Sequence, residues 1–382
     1  MRHQNSVFHT LTKYVPWSVF DRLVEEHGAD YRTRRLSTRS QFIALLYGQL
    51  CKAEGLREIV TGLASHQSRL YHLGATVPSR STLSDANGLR SHRVFSDLFA
   101  AMIGQAQRGL RKHVGEVVQL IDATSLRLSG LSEWARFSAG VCGAKLHMLY
   151  DPDADRPLYF DVTTAKVNDI TPAKAMPIQA GATYVFDLGY YDFAWWADLD
   201  AKGCRIVTRF KKNTRLAVAE ELPVPPGSPV LSDRIGHLTT RMAQTRRNPF
   251  TDPVREVRVT TETGKELRIL TNDLDAPADE IAALYKRRWQ VELFFRWIKQ
   301  TLKLKHFVGN SENAVRIHIA VALIAFLIVR LAQHAAKILV SPVAFIRLVR
   351  ANLMHRRSVD ALLKPPTPMI KDQRQLCFQL PC

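Results

Sequence analysis

Acidic side chains are scarce for the number of basic ones. The 382 residues carry 35 Asp and Glu against 53 Lys and Arg, a formal net charge of +18. A surface of that sign suits polyanions, nucleic acid or anionic lipid, rather than cationic substrates. Cysteine is sparse too. The five (Cys51, Cys142, Cys204, Cys377 and Cys382) are odd in number, scattered and never spaced as C-x-x-C. Neither a disulfide framework nor a zinc ribbon is indicated. Long apolar runs are missing: "IAVALIAFLIV" at 319–329 spans eleven residues, where a bilayer crossing takes about 20. It reads as a buried core helix. The opening "MRHQNSVFHTLTKYVPW" has no apolar segment of the secretory kind, so a cytoplasmic protein without membrane contact is expected. Also missing are H-E-x-x-H, G-x-S-x-G and G-x-x-x-x-G-K-[ST], which removes zinc protease, esterase and nucleotide-driven readings. "DPDAD" at 151–155 starts like a calcium loop, but Arg156 and Val162 stand where Gly and Glu are required. It is expected as a turn between strands. His147, alternating within a strand-like stretch, is expected to be structural or to support a nearby site rather than to ligate a metal itself.

What is present changes character along the chain. Residues 1–112 repeat apolar positions at three and four residues, as in "TRSQFIALLYGQLCKAEGLREIVTGLASH", and predict an all-helical N-terminal domain. Between its helices lie "DYRTRRLSTRS" and "TVPSRSTLSDANGLRSH". Both are rich in guanidinium and hydroxyl groups that could meet phosphates, or simply form capped, solvated loops. Ser79 or Ser81 is a candidate helix cap. From 113 to about 340 short apolar strands alternate with helices, predicting an α/β domain. "EVVQLIDAT" and "ATYVFDLGYYD" read as strands that end in an acid. A β-rich insertion is expected over about 211–274, including a hairpin turning at Thr263-Gly264. Residues 341–382 read as a C-terminal tail.

Three carboxylates stand out by context. Asp122 and Asp187 end apolar strands, and Glu292 sits in the helical stretch "YKRRWQVELFFRWIKQ" at 285–300. Two strand-ending acids joined by one from a packed helix would make an oxygen-rich pocket suited to Mg²⁺ or Mn²⁺. Taken singly, a strand-ending Asp more often caps a turn, and Asp192 is a rival to Asp187. On the helix, at about 100° per residue, Tyr285, Arg288, Glu292 and Lys299 share an arc of roughly 60°. Trp289 and Arg296 lie beside them. Val291, Leu293, Phe294, Phe295, Trp297 and Ile298 fill the opposite arc. The polar stripe could be solvated, with Glu292 paired to Arg288 and Arg296. It could equally be a ligand carboxylate flanked by phosphate-binding cations. Pattern alone leaves these even.

The stripe Y-x2-R-x3-E-x6-K, here Tyr285, Arg288, Glu292 and Lys299, resembles the signature of bacterial insertion-sequence transposases of the IS-four family. Asp122 in "IDATSL" and Asp187 in "FDLGYYD" stand in family-like contexts, 65 residues apart, with 105 more to Glu292. The long second interval resembles the family's β-strand insertion. The resemblance covers roughly 113–340. It implies a ribonuclease-H-like DDE core preceded by a helical DNA-binding domain. It also implies two Mg²⁺ ions, replaceable by Mn²⁺, held by Asp122, Asp187 and Glu292. Metal-activated water would cut the ends of an insertion sequence, and the freed 3′-OH would join target DNA. Tyr285, Arg288, Trp289, Arg296 and Lys299 would contact DNA, and a homodimer would pair two double-stranded ends in the bacterial nucleoid. Relatives that cut through a hairpin carry a stacking aromatic in the insertion. Here only Phe210 or Phe250 could serve. A non-catalytic DNA-binding relative and a metal-dependent nuclease without strand transfer are the rival readings.

Overall fold

Three successive strands of this chain hydrogen-bond to one another in antiparallel fashion, and the fourth returns parallel to the first. That order creates the site. The computed structural model describes residues 5–110, 116–224, 226–239, 241–243, 246–302, 304 and 307–363. Within the sheet, β1 (Val118–Leu128) pairs antiparallel with β3 (Val141–Asp151), and β3 with β4 (Arg156–Thr164). The short β2 (Arg136–Ser138) also pairs with β3. Then β5 (Thr183–Val185) lies parallel to β1, and β6 (Arg205–Arg209) parallel to β5. The expected turn at 151–155 is present: Asp151 Oδ1 accepts hydrogen bonds from the Asp153 and Ala154 amides at 3.0 Å each. The expected mixed α/β architecture is present as well.

The β-rich insertion is not a separate layer. Its strands β7 (Leu216–Leu222), β8 (Val230–Leu238), β11 (Val254–Thr260) and β12 (Glu266–Thr271) continue the same sheet, because β12 pairs antiparallel with β6. The sheet runs β3-β1-β5-β6-β12-β11-β8-β7, and β9 (Arg241–Ala243) and β10 (Arg246–Arg247) form a separate ribbon. The expected hairpin is β11–β12. Its turn uses Gly264 at φ +75°, a conformation that a side chain would strain. Arg255 anchors the insert. It is 3% exposed, its Nε and Nη2 meet Asp233 at 2.7 and 2.6 Å, and its Nη1 donates to the carbonyls of Leu274 and Ala276. Those carbonyls lie just before α10 (Ala278–Arg287), so the insert is tied to the helix entering the site.

Among the described residues seven α-helices precede the sheet: α1 (Val7–Thr12), α2 (Trp17–Glu26), α3 (Thr38–Cys51), α4 (Leu56–Ala64), α5 (Gln67–Leu70), α6 (Arg80–Leu89) and α7 (Arg93–Leu110). Ser79, one of the two candidate caps, accepts the Thr82 amide at 3.1 Å and starts α6. After the first strands come α8 (Ile170–Ala173) and α9 (Phe193–Asp200). α11 (Trp289–Thr301), α12 (Glu312–Ala335) and α13 (Pro342–Asn352) follow α10. By length and composition α12 could cross a bilayer. Here it is the buried core helix expected at 319–329, with Ile319 to Val329 all at 2% exposure or less. Helices α1, α3, α6, α7 and α13 and strand β4 cover it. One continuous apolar core therefore runs from Val7 through α12 to Leu362. Residues 341–363, expected as the start of a tail, are folded in: Phe345, Ile346 and Val349 are fully buried. The Val7 and Phe8 amides donate to the His355 and Leu353 carbonyls. Apolar side chains at i, i+1 and i+4 of α13 supply the cause. Residues 364–382, with Cys377 and Cys382, lie outside the described residues.

Candidate active site

Asp122 does not end its strand. It is the fifth residue of the eleven in β1, which runs on to Leu128. The parallel neighbour β5 accompanies β1 only as far as Leu120, opposite Val185. Two residues beyond that pair, on either chain, stand Asp122 and Asp187. The two aspartates are thus delivered side by side where the parallel pairing stops. Asp187 caps a short turn, its Oδ1 accepting the Gly189 amide at 2.7 Å. Its rival Asp192 is spent elsewhere, capping α9 through the Trp195 amide at 2.9 Å and pairing with Lys174 at 2.7 Å.

Glu292 arrives from the third side. The stretch 285–300 is not one helix: α10 ends at Arg287, α11 begins at Trp289, and Arg288 bridges them. There the Val291 amide turns to Arg288 O and the Arg288 amide to Tyr285 O, three residues back in each case. The break puts the Arg288 guanidinium between the acids. It lies 2.6 Å from Glu292 Oε1 and 3.5 Å from Asp122 Oδ2, with its Cζ 5.8 Å over the Tyr285 ring. Lys299, two turns further along, donates to Thr124 Oγ1 of β1 at 2.6 Å. Tyr285 is buried, at 8% exposure, and braces Arg288 instead of lying open to a ligand. Trp289, half exposed, and Arg296, exposed, face outward at the rim. Val291, Phe294, Phe295 and Ile298 are buried as the pattern requires, whereas Leu293 is exposed. Two bases of the stretch are occupied away from the site, Lys286 by Glu262 at 2.7 Å and Arg287 by Asp153.

Burial crowds these charges. The Asp122 carboxyl is pushed up to about 7, chiefly by desolvation and further by Asp187 and Glu292, against the pull of the Ala123 amide and Arg288. Arg288 Nε and the Tyr190 hydroxyl are buried with no hydrogen-bond partner. Tyr190 senses Asp122 and Asp187. An all-oxygen donor set with an orphaned hydroxyl and a carboxyl held against ionisation fits a hard divalent cation in kind. Among the described residues no three metal-ligating side chains stand ready to hold an ion, and Arg288 spans two of the acids. His147 is fully buried with its Nε2 2.8 Å from Thr163 Oγ1, in keeping with a structural role.

Residues 114–328 match the transposase DDE domain, and residues 3–76 a domain of unknown function. A putative transposase of Sinorhizobium fredii is 37% identical over 300 residues, 78% of this chain and 84% of that protein. The chain belongs to the DDE transposases. A second member, a probable insertion-sequence transposase of Geobacillus stearothermophilus, is 27% identical over 280 residues, 70% of this chain and 73% of its own. The piggyBac transposase synaptic complex with hairpin DNA superposes with a TM-score of 0.47 at 12% identity, over 96% of this chain and 83% of that one. That likeness is too loose to bear on mechanism. For this transposase the resemblance read from Tyr285, Arg288, Glu292 and Lys299 led to the family the matches show. Sequence reasoning missed Thr124 and Tyr190. Thr124 lies two residues from Asp122, on the same face of β1, and strand alternation alone could have flagged it. Phe210 and Phe250, the only aromatics available to the insertion, are 4% and 3% exposed.

Proposed function

We propose that this DDE transposase binds the ends of an insertion sequence, cuts them and joins the 3′-OH ends to target DNA. Asp122, Asp187 and Glu292 would hold two Mg²⁺ ions, with Mn²⁺ as a substitute. The observation that carries the reading is the register of β1 and β5, which sets Asp122 beside Asp187 while Arg288 draws Glu292 toward Asp122. What divalent ions supply in such chemistry is activation of the attacking oxygen and charge relief at the leaving oxygen of phosphoryl transfer. The side chains do the rest. Arg288, released from its two acids as the site fills, is placed to take a phosphate oxygen bidentately. Lys299, anchored on Thr124, holds a second phosphate, and Arg296 extends the cationic track outward. Trp289 offers an exposed face for a base drawn out of the stack. With Phe210 and Phe250 buried, no aromatic of the insert faces a base, which favours a route without a hairpin.

On this reading residues 1–112 form the DNA-binding domain, 113–340 the ribonuclease-H-like catalytic domain with its insert at about 211–274, and 341–382 a C-terminal segment. The order β4-β3-β1-β5-β6 supports that division of the core. The working form is a homodimer on two double-stranded ends, in the bacterial cytoplasm at the nucleoid. The test is cleavage and joining of end-containing DNA in Mg²⁺ by wild type and by Asp122→Ala, Asp187→Ala and Glu292→Ala. All three variants should lose both steps and keep DNA binding. Binding without cleavage by the wild type would leave a non-catalytic relative, and cleavage without joining a nuclease.

A further inference from the structure

The ion pair of Lys145 and Asp169 stands next to this site and has no part in the function described so far. Asp169 occupies the N-cap position of α8, where an aspartate ordinarily accepts the first free amides of the helix. Its side chain makes no such bond. Instead Oδ1 takes Lys145 Nζ at 2.8 Å, and the same ammonium donates to the Val167 carbonyl at 2.9 Å. Lys145 is therefore held from two sides, and it fixes Asp169 in turn.

That leaves Asp169 Oδ2, which is directed at the turn following Asp187. A Cβ built on Gly189 would stand 3.2 Å from Asp169 Oδ2 and 3.0 Å from Asp187 Oδ1. The two carboxylate oxygens are thus no further apart than the sum of those lengths, and a side chain at 189 would crowd both. The Tyr190 hydroxyl, 1% exposed and without a partner, senses Asp122, Asp169 and Asp187 together. An added carboxylate this close to an existing pair is repulsive unless positive charge enters between them. Lys145 neutralises Oδ1 of Asp169, which also lies 3.9 Å from the buried His147 Nδ1, and leaves Oδ2 beside Gly189.

We infer that Asp169, fixed by Lys145, is a fourth carboxylate of the divalent-cation site, positioning the Asp187 turn across Gly189 and presenting Oδ2 toward the ion's surroundings. This rests on reading Asp122, Asp187 and Glu292 as the ligands. Asp169 is a positioning residue in this scheme, and groups of that kind change metal affinity by about 10–100-fold when removed.

The test is Mn²⁺ titration of the full chain followed by electron paramagnetic resonance, with thermal melts in the absence of metal. Asp169→Asn and Gly189→Ala should each weaken Mn²⁺ about 10-fold. Gly189→Ala crowds Asp187 Oδ1 as well as Asp169 Oδ2, so Lys145→Met, which leaves the Asp187 turn untouched, decides the matter where Asp169→Asn melts early. Lys145→Met should weaken the ion likewise, and Lys145→Arg should restore most of the affinity. In end cleavage the Mn²⁺ concentration for half-maximal rate should rise, while kcat at saturating Mn²⁺ holds. Wild-type affinity in folded Asp169→Asn and Gly189→Ala overturns the inference and leaves the three-acid site standing. A wild type that binds no Mn²⁺ overturns the site and the inference together.

Discussion

Two arginines of this protein meet carboxylates in opposite ways. Arg255, in the insert, is satisfied at every nitrogen: it grips both oxygens of Asp233 and two carbonyls, and both side chains are 4% exposed. Arg288, in the site, is left wanting. Its Nε has no partner, Asp122 is at the long distance of 3.5 Å, and the acids around it outnumber it. Complete satisfaction marks a pair whose work is to hold strands together. Incomplete satisfaction in a half-buried site marks charges arranged for a visitor that brings its own.

The largest expected effect breaks the first pair. Arg255→Ala strands Asp233 in the sheet and should lower unfolding free energy by about 3–5 kcal/mol in urea titrations. Arg288→Ala should lower it by less than half as much, because Asp122, whose carboxyl already sits near 7, can take up a proton. Equal losses would erase the distinction. Next in size is the response to pH. Because the folded Asp122 carboxyl sits near 7 and the ordinary value is 3.8, its contribution to stability is full below about 4 and is lost as pH rises through 7. Melts of metal-free Asp122→Asn should match wild type at pH 4 and exceed it by about 4 kcal/mol at pH 8. Divalent ions should close the gap for wild type only. A gap that does not grow with pH would show that the carboxyl ionises freely. The smallest effect concerns DNA. Arg288→Ala and Lys299→Ala should each flatten the plot of log affinity for end DNA against log salt by about 1, and unchanged slopes would remove them from the phosphate track.

Much of this was legible in the residues. The acid of the helical stripe and the two strand aspartates do converge, and the β11–β12 hairpin and buried α12 lie where their patterns put them. The misreading of β1 has a physical cause. As far as Ile121 the strand is buried, and β5 flanks it up to Leu120. Beyond it only β3 pairs, so polar Thr124, Ser125 and Arg127 alternate with Leu126 and Leu128. A reader who expects continuous apolarity stops at Asp122. The break at Arg288 left no mark either, since its backbone stays in the right-handed helical region with φ −50° and ψ −33°. Asp169 was invisible for another reason. Its role depends on Gly189 twenty residues on, and nothing in "VNDITP" announces that a cap residue has turned away from its helix.

The helix α12 sets a limit on how the molecule can move. Buried against both the N-terminal helices and β4, it joins the two through one apolar core, with a cleft between α7 and β4 lined by His92, Ser96, Phe160 and Arg316. On the function proposed, the helical layer and the three acids therefore behave as one ruler. On that function, the strand would be cut at one fixed offset from whatever stretch of a transposon end the layer grips.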